Sequence, residues 1–156
     1  MSILFSASEV VTMAIEIEKN GMDFYNALAA RVTDEKSKEL YTYLAGEEVR
    51  HKLTFQKMLD NLKNIELTAA DEEEYNHYLK ALTSSRVFKS DQSAEELLDE
   101  LKEEKDAIEF AINAEKDSIL FYYELLDQAF DEDRESIERV IKEEKVHLAK
   151  LLTLQY

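Results

Sequence analysis

The 156-residue sequence contains no cysteine and no proline, and only two glycines, Gly21 and Gly46. Without thiols there can be no disulfide, no Cys-ligated zinc, no iron–sulfur cluster and no thiol nucleophile. Scarce glycine and absent proline disfavour folds made of strands and tight turns. Basic residues are also short: 19 Lys and Arg stand against 35 Asp and Glu, a formal net charge of −16. Nucleic acid and anionic membrane both repel such a surface and are not expected as partners. No apolar run approaches the roughly 18 residues of a membrane span, so no membrane is expected either. The Met1–Phe5 start has no basic n-region, and a cytoplasmic location is the expectation.

What remains is a chain that is 45% hydrophobic, enough for a real core, and of a length that predicts one domain over residues 1–156. Apolar residues recur with helical period in four long segments, at residues 7–31, 34–62, 106–130 and 135–154. Ser6 and Glu9 fit a capping box at the first start. The first stripe is Val11, Ala14, Ile15, Met22, Tyr25 and Ala29, and the second is Leu40, Leu44, Phe55, Met58 and Leu62. The third is Ile108, Ala111, Ile112, Ile119, Tyr122 and Leu126, and the fourth is Ile137, Val140, Ile141, Leu148 and Leu151. Residues 63–105 form a long crossover with short helices expected at 71–83 and 93–103. The fold class expected is all-α: two helical hairpins joined by a long crossover, the connectivity of ferritin-like four-helix bundles.

The chain also repeats itself. At an offset of 97, Ala14, Glu18, Lys19, Phe24, Tyr25 and Leu28 fall on Ala111, Glu115, Lys116, Phe121, Tyr122 and Leu125. At an offset of 96, Glu39, Glu47, Glu48 and His51 fall on Glu135, Glu143, Glu144 and His147. Two related hairpins facing each other about a pseudo-two-fold axis are the expectation.

Six of the repeated residues are polar groups on apolar stripes. Glu18 lies among Val11, Ile15, Met22 and Tyr25, and Glu115 lies among Ile108, Ile112, Ile119 and Tyr122. Glu48 and His51 interrupt the second stripe, and Glu144 and His147 the fourth. Burying an unpartnered carboxylate costs several kcal/mol, and four together exceed a typical net stability of about 5–15 kcal/mol. Lys and Arg are missing from these stripes, so metal ions are the predicted counter-charge: four Glu and two divalent cations balance. One Glu from each of two helices and Glu-x-x-His from each of the others is a dimetal carboxylate arrangement. Carboxylate and imidazole donors suit iron, manganese or zinc. The competing reading is a core of protonated Glu with satisfied His.

Tyr25 and Tyr122 follow Glu18 and Glu115 by seven residues, so each phenol is expected to hydrogen-bond a ligating carboxylate, against the reading of plain core aromatics. His77 also follows a Glu by three but has no repeat partner and reads as solvated. The acid run 71–74 reads as the start of a helix. Gly21 and Gly46 either leave room beside the cluster or allow close helix packing, the latter slightly favoured.

The segments Glu18-Lys19-Asn20-Gly21-Met22-Asp23-Phe24-Tyr25 and Glu47-Glu48-Val49-Arg50-His51 resemble the rubrerythrin family, as do Glu115–Tyr122 and Glu143–His147. The resemblance implies a non-haem di-iron centre with two iron ions, in which Glu48 and Glu144 bridge, His51 and His147 bind one ion each, and Glu18 and Glu115 cap the ends. It implies reduction of hydrogen peroxide or dioxygen, and a homodimer. Two features depart from the family. Full-length members carry a four-Cys rubredoxin domain, so electrons here are expected from a separate donor such as a rubredoxin-like protein. Ser118 stands where rubrerythrins have an additional Glu, which makes the ligand set more symmetric. The alternatives are a ferroxidase or iron-handling protein and a bundle for which metal is only a staple.

Overall fold

The computed structural model describes residues 7–62 and 92–154. The expected helix at 71–83, with His77 and the acid run, and the Ser6 cap lie outside the described residues. Five helices follow in order: α1 Ala7–Arg31, α2 Glu35–Asn61, α3 Ala94–Leu101, α4 Glu104–Gln128 and α5 Asp131–Thr153. Among the described residues there is no strand, and no helix is long and apolar enough to cross a membrane.

Local chemistry sets the helix ends. Asp34 caps α2 by accepting from the Ser37 amide at 2.9 Å, and Ser93 caps α3 by accepting from the Glu96 amide at 3.1 Å. Lys102, at φ 62°, ends α3 and turns the chain into α4. α5 begins four residues before the expected Glu135. Its first turn is Asp131-Glu132-Asp133, acids that complement the helix dipole rather than fill a loop. Arg134 reinforces this start by donating from Nη1 to the Leu126 carbonyl at 2.9 Å. Only Ala129 and Phe130 connect α4 to α5, and three residues, Val32–Asp34, connect α1 to α2.

α1 packs along α2 and α4 along α5, and the two hairpins meet through α1 against α4 and α2 against α5. α3 lies against α1 and α4, burying Leu97 and Leu98 and tied by an Arg31–Asp99 ion pair at 2.9 Å. Because α1 faces three neighbours, it buries more than the expected stripe. Val10, Ile17, Phe24 and Leu28 are buried, while Ile15 and Met22 are only half-buried. The apolar core is split in two. One cluster includes Val11, Ile17, Phe55, Met58, Phe121 and Ile141. The other includes Phe24, Leu44, Ala45, Ile112 and Leu151. On each long helix the passage from one cluster to the other crosses the same level: 18–21 on α1, 47–51 on α2, 115–118 on α4 and 144–147 on α5.

Candidate metal centre

That level is polar and dry. Glu18, Glu48, His51, Glu115, Glu144 and His147 are all buried, none more than 4% exposed. The helices deliver them as the i,i+3 and repeat spacing require, with Glu48 and His51 one turn apart on α2 and Glu144 and His147 one turn apart on α5. The donors form two groups that could each hold a metal ion. One is Glu18, Glu48, His51 and Glu144; the other is Glu48, Glu115, Glu144 and His147. Glu48 and Glu144 belong to both, so they stand between the two positions. The imidazoles stack with ring centroids 5.5 Å apart, each turning Nδ1 inward. His51 Nδ1 lies 3.3 Å from Glu144 Oε1 and 3.5 Å from Glu18 Oε2. His147 Nδ1 lies 3.0 Å from Glu144 Oε2 and 3.5 Å from Glu48 Oε1.

The hydrogen bonding is incomplete in a telling way. Glu18 Oε2, Glu48 Oε1, His51 Nδ1 and Glu144 Oε1 are buried without a hydrogen-bond partner. Buried polar atoms are normally satisfied, and orphans cost about 1–3 kcal/mol each. Four orphans from three helices around one point suit a cation, and hard carboxylates with imidazole are donors for a first-row metal ion. No Lys or Arg ion pair reaches these four Glu among the described residues.

Electrostatics in the protein alone agree. Burial raises the carboxyls of Glu18, Glu48 and Glu115 above the usual range, and neighbouring carboxylates raise them further. Burial also opposes charge on Glu144, but the hydrogen-bonded His147 and the nearby His51 outweigh it and hold this carboxyl well below the usual range. Burial works against a charged His51, yet Glu144 and Glu18 prevail and push the imidazole up to about 11.

Each phenol reaches across the bundle. Tyr25 on α1 donates to Glu115 Oε1 on α4 at 2.5 Å, and Tyr122 on α4 donates to Glu18 Oε1 on α1. Gly21 leaves room for the cluster: a Cβ there would sit 2.7 Å from Glu48 Oε2, whereas one on Gly46 would meet nothing within 4 Å. The packing explanation for the glycines therefore fails for Gly21, and Gly46 touches nothing that requires it. Ser118, the repeat counterpart of Gly21, is buried with its Oγ donating to the Ala114 carbonyl at 2.9 Å. Gly21, Glu48, Glu115 and Ser118 line a cavity of about 10 Å3 between α1 and α4, about the room one water occupies.

Two neighbouring acids complete the centre. Glu143 Oε2 lies 2.7 Å from His51 Nε2, and Glu47 Oε2 lies 3.8 Å from His147 Nε2. Arg50 joins them, paired with Glu47 on its own helix and with Glu143 at 3.4 Å. Sequence reasoning gave these three residues no role, because acids beside acids in Glu-rich helices look like a solvated face. The repeat had nevertheless already paired Glu47 with Glu143.

The rubrerythrin family model matches residues 9–155, and the chain belongs to that family. The bundle is ferritin-like, and solved structures bear this out. One is a Thermotoga maritima protein with a provisional assignment as ferritin-like and diiron-carboxylate. It is 27% identical with a TM-score of 0.69, over 99% of this chain and 97% of that one. Another is a hypothetical protein of Pyrococcus furiosus, 23% identical with a TM-score of 0.71, over 97% of this chain and 89% of that one. Among curated proteins, none matches this chain.

Proposed function

We propose that this protein is a di-iron oxidoreductase that reduces hydrogen peroxide or dioxygen with electrons from a separate donor protein. The observation that carries the reading is the set of orphaned carboxylate and imidazole atoms converging from α1, α2 and α5 in a buried layer with no Lys or Arg partner among the described residues. Family membership and the diiron-carboxylate assignment of the Thermotoga relative favour iron over manganese or zinc.

In this reading Glu48 and Glu144 would serve both ions, Glu18 and His51 would complete one position, and Glu115 and His147 would complete the other. Two iron ions, when bound, supply electrons and Lewis acidity for cleaving an O–O bond. The protein's part is orientation and insulation. Tyr25 and Tyr122 each occupy one oxygen of a capping carboxylate, leaving its second oxygen free to ligate. Glu143 accepts the outward N–H of His51 and so holds the ring with Nδ1 aimed inward. The apolar clusters above and below exclude bulk water. The cavity beside Gly21 and Ser118 leaves room for about one water next to Glu48 and Glu115. These 156 residues include no cysteine to hold an iron–sulfur relay, which supports a separate reductant. A cytoplasmic homodimer is part of the same proposal.

Anaerobic Fe(II)-loaded protein mixed with peroxide should oxidise much faster than free Fe(II), and Glu18→Ala should lose the effect. Oxidation no quicker than in buffer sinks the redox reading. The iron-handling alternative predicts a large hollow assembly on size exclusion, where the oxidoreductase predicts a dimer.

A further inference from the structure

The six inner donors are buried, and the acids between α2 and α5 mark a route by which a cation could reach them. Between α2 and α5 exposure falls in steps: the side chain of Arg50 is 60% exposed, Glu143 26%, Glu47 11%, and His51 and His147 at most 2%. Glu47, Glu143 and His51 Nε2 lie close enough together to hold a metal ion on the solvent side of the imidazoles. A second observation points into the same place. His147 is fully buried, and its Nε2 has no hydrogen-bond partner while facing Glu47 Oε2. Arg50, the one basic residue here, bridges both acids, and its repeat counterpart is Val146, so nothing mirrors it.

We propose that Glu47, Glu143 and His51 Nε2 form an outer transit site for divalent cations, plugged by Arg50, through which metal reaches the inner positions. An arriving cation displaces the exposed guanidinium from the two carboxylates. A cation there takes the place of any proton on His51 Nε2. Each inner position offers four donors against three at the mouth, so the cation moves on inward. Two carboxylates at the mouth also concentrate cations, an effect that raises on-rates by about 10–1,000-fold.

The inference rests on the metal-binding half of the proposed function and not on its redox half. Protein that loads two ions by this route yet reduces no peroxide would leave it standing.

Stopped-flow absorption of Co(II) binding to metal-free protein is the test, with wild type, Arg50→Ala and the Glu47→Gln/Glu143→Gln double variant. The expected wild-type rate saturates with Co(II) concentration. Arg50→Ala should load several-fold faster, and the double variant about tenfold slower. All three should finish at two Co(II) per chain, and Arg50→Ala should share the wild-type visible spectrum. Rates within about twofold of wild type in both variants would overturn the proposal, since that is too small for a mouth that steers cations. So would a double variant that loads slowly and stops short of two Co(II) per chain, because Glu47 and Glu143 would then act on the final affinity and not on passage. Arg50 is mostly exposed and touches no inner donor, so its variant keeps the test open if the double variant folds poorly.

Discussion

Tyr25 and Glu115 are 90 residues apart and on different hairpins, yet the phenol donates to the carboxylate at 2.5 Å in a buried layer. Tyr122 does the same for Glu18 in the opposite direction. Each hairpin thus contributes both a ligand and the residue that orients the other hairpin's ligand. The centre is therefore correct only when the two hairpins are in register, which couples its geometry to the bundle itself.

Replacing either tyrosine by phenylalanine should weaken the metal position on its side while the helices persist. Residues that orient a ligand typically cost about 10–100-fold in affinity when lost. The freed carboxylate oxygen adds about 1–3 kcal/mol to the cost of the metal-free fold. Chelator competition on Tyr25→Phe and Tyr122→Phe, with thermal melts alongside, measures both. Wild-type affinity in both variants would mean that the phenols are only core aromatics.

Gly21→Ala should separate helix preference from site geometry. Alanine favours a helix by about 1 kcal/mol over glycine. At Gly21, however, the new Cβ would fall 2.7 Å from Glu48 Oε2 and 3.2 Å from its Cδ, so this carboxylate, common to both donor groups, must move. Metal affinity should fall while metal-free stability changes by less than about 1 kcal/mol. Gly46→Ala is the matched control, open for 4 Å around, and should gain about 1 kcal/mol with affinity unchanged. Metal titrations and denaturant melts of the two variants check the contrast, and equal affinities would remove Gly21 from the site.

The ligand set was legible in the sequence because an acid on an apolar stripe conflicts with its surroundings, and the repeat shows the conflict twice. Glu18 and Glu115 stand out for that reason, as do the two Glu-x-x-His turns. The crossed pairing of Tyr25 and Tyr122 was not legible: a seven-residue interval says which face a phenol shares, not which partner lies opposite. Glu47 and Glu143 were hidden beside the candidate ligands Glu48 and Glu144, where an acid needs no explanation. The start of α5 was misplaced because acids in a first helical turn and acids in a loop look alike in sequence. The stripe on α1 was drawn too narrow because sequence periodicity assumes one buried side, and α1 is covered by α2, α3 and α4.

Stability should depend on pH in opposite ways with and without metal. Burial first, and neighbouring carboxylates second, raise Glu18, Glu48 and Glu115 above the ordinary 4.5. A group raised on folding stabilises the fold below its unfolded pKa, and that contribution disappears as pH climbs through the folded value. His51 has the same sign: its contribution is complete below the ordinary 6.5 and is lost as pH rises towards about 11. Glu144 has the opposite sign, but its window lies below 4.5, in acid. Metal-free protein should therefore melt at progressively lower temperature from about pH 5 to pH 9. Metal needs deprotonated carboxylates and free imidazole nitrogens, so its affinity rises over the same range and protons are released on binding. The gap between the melting temperatures of loaded and chelator-treated protein should widen with pH. Calorimetric scans of both forms across that range test the sign. A metal-free melting temperature that rose with pH would show that the buried carboxyls are not the groups that titrate.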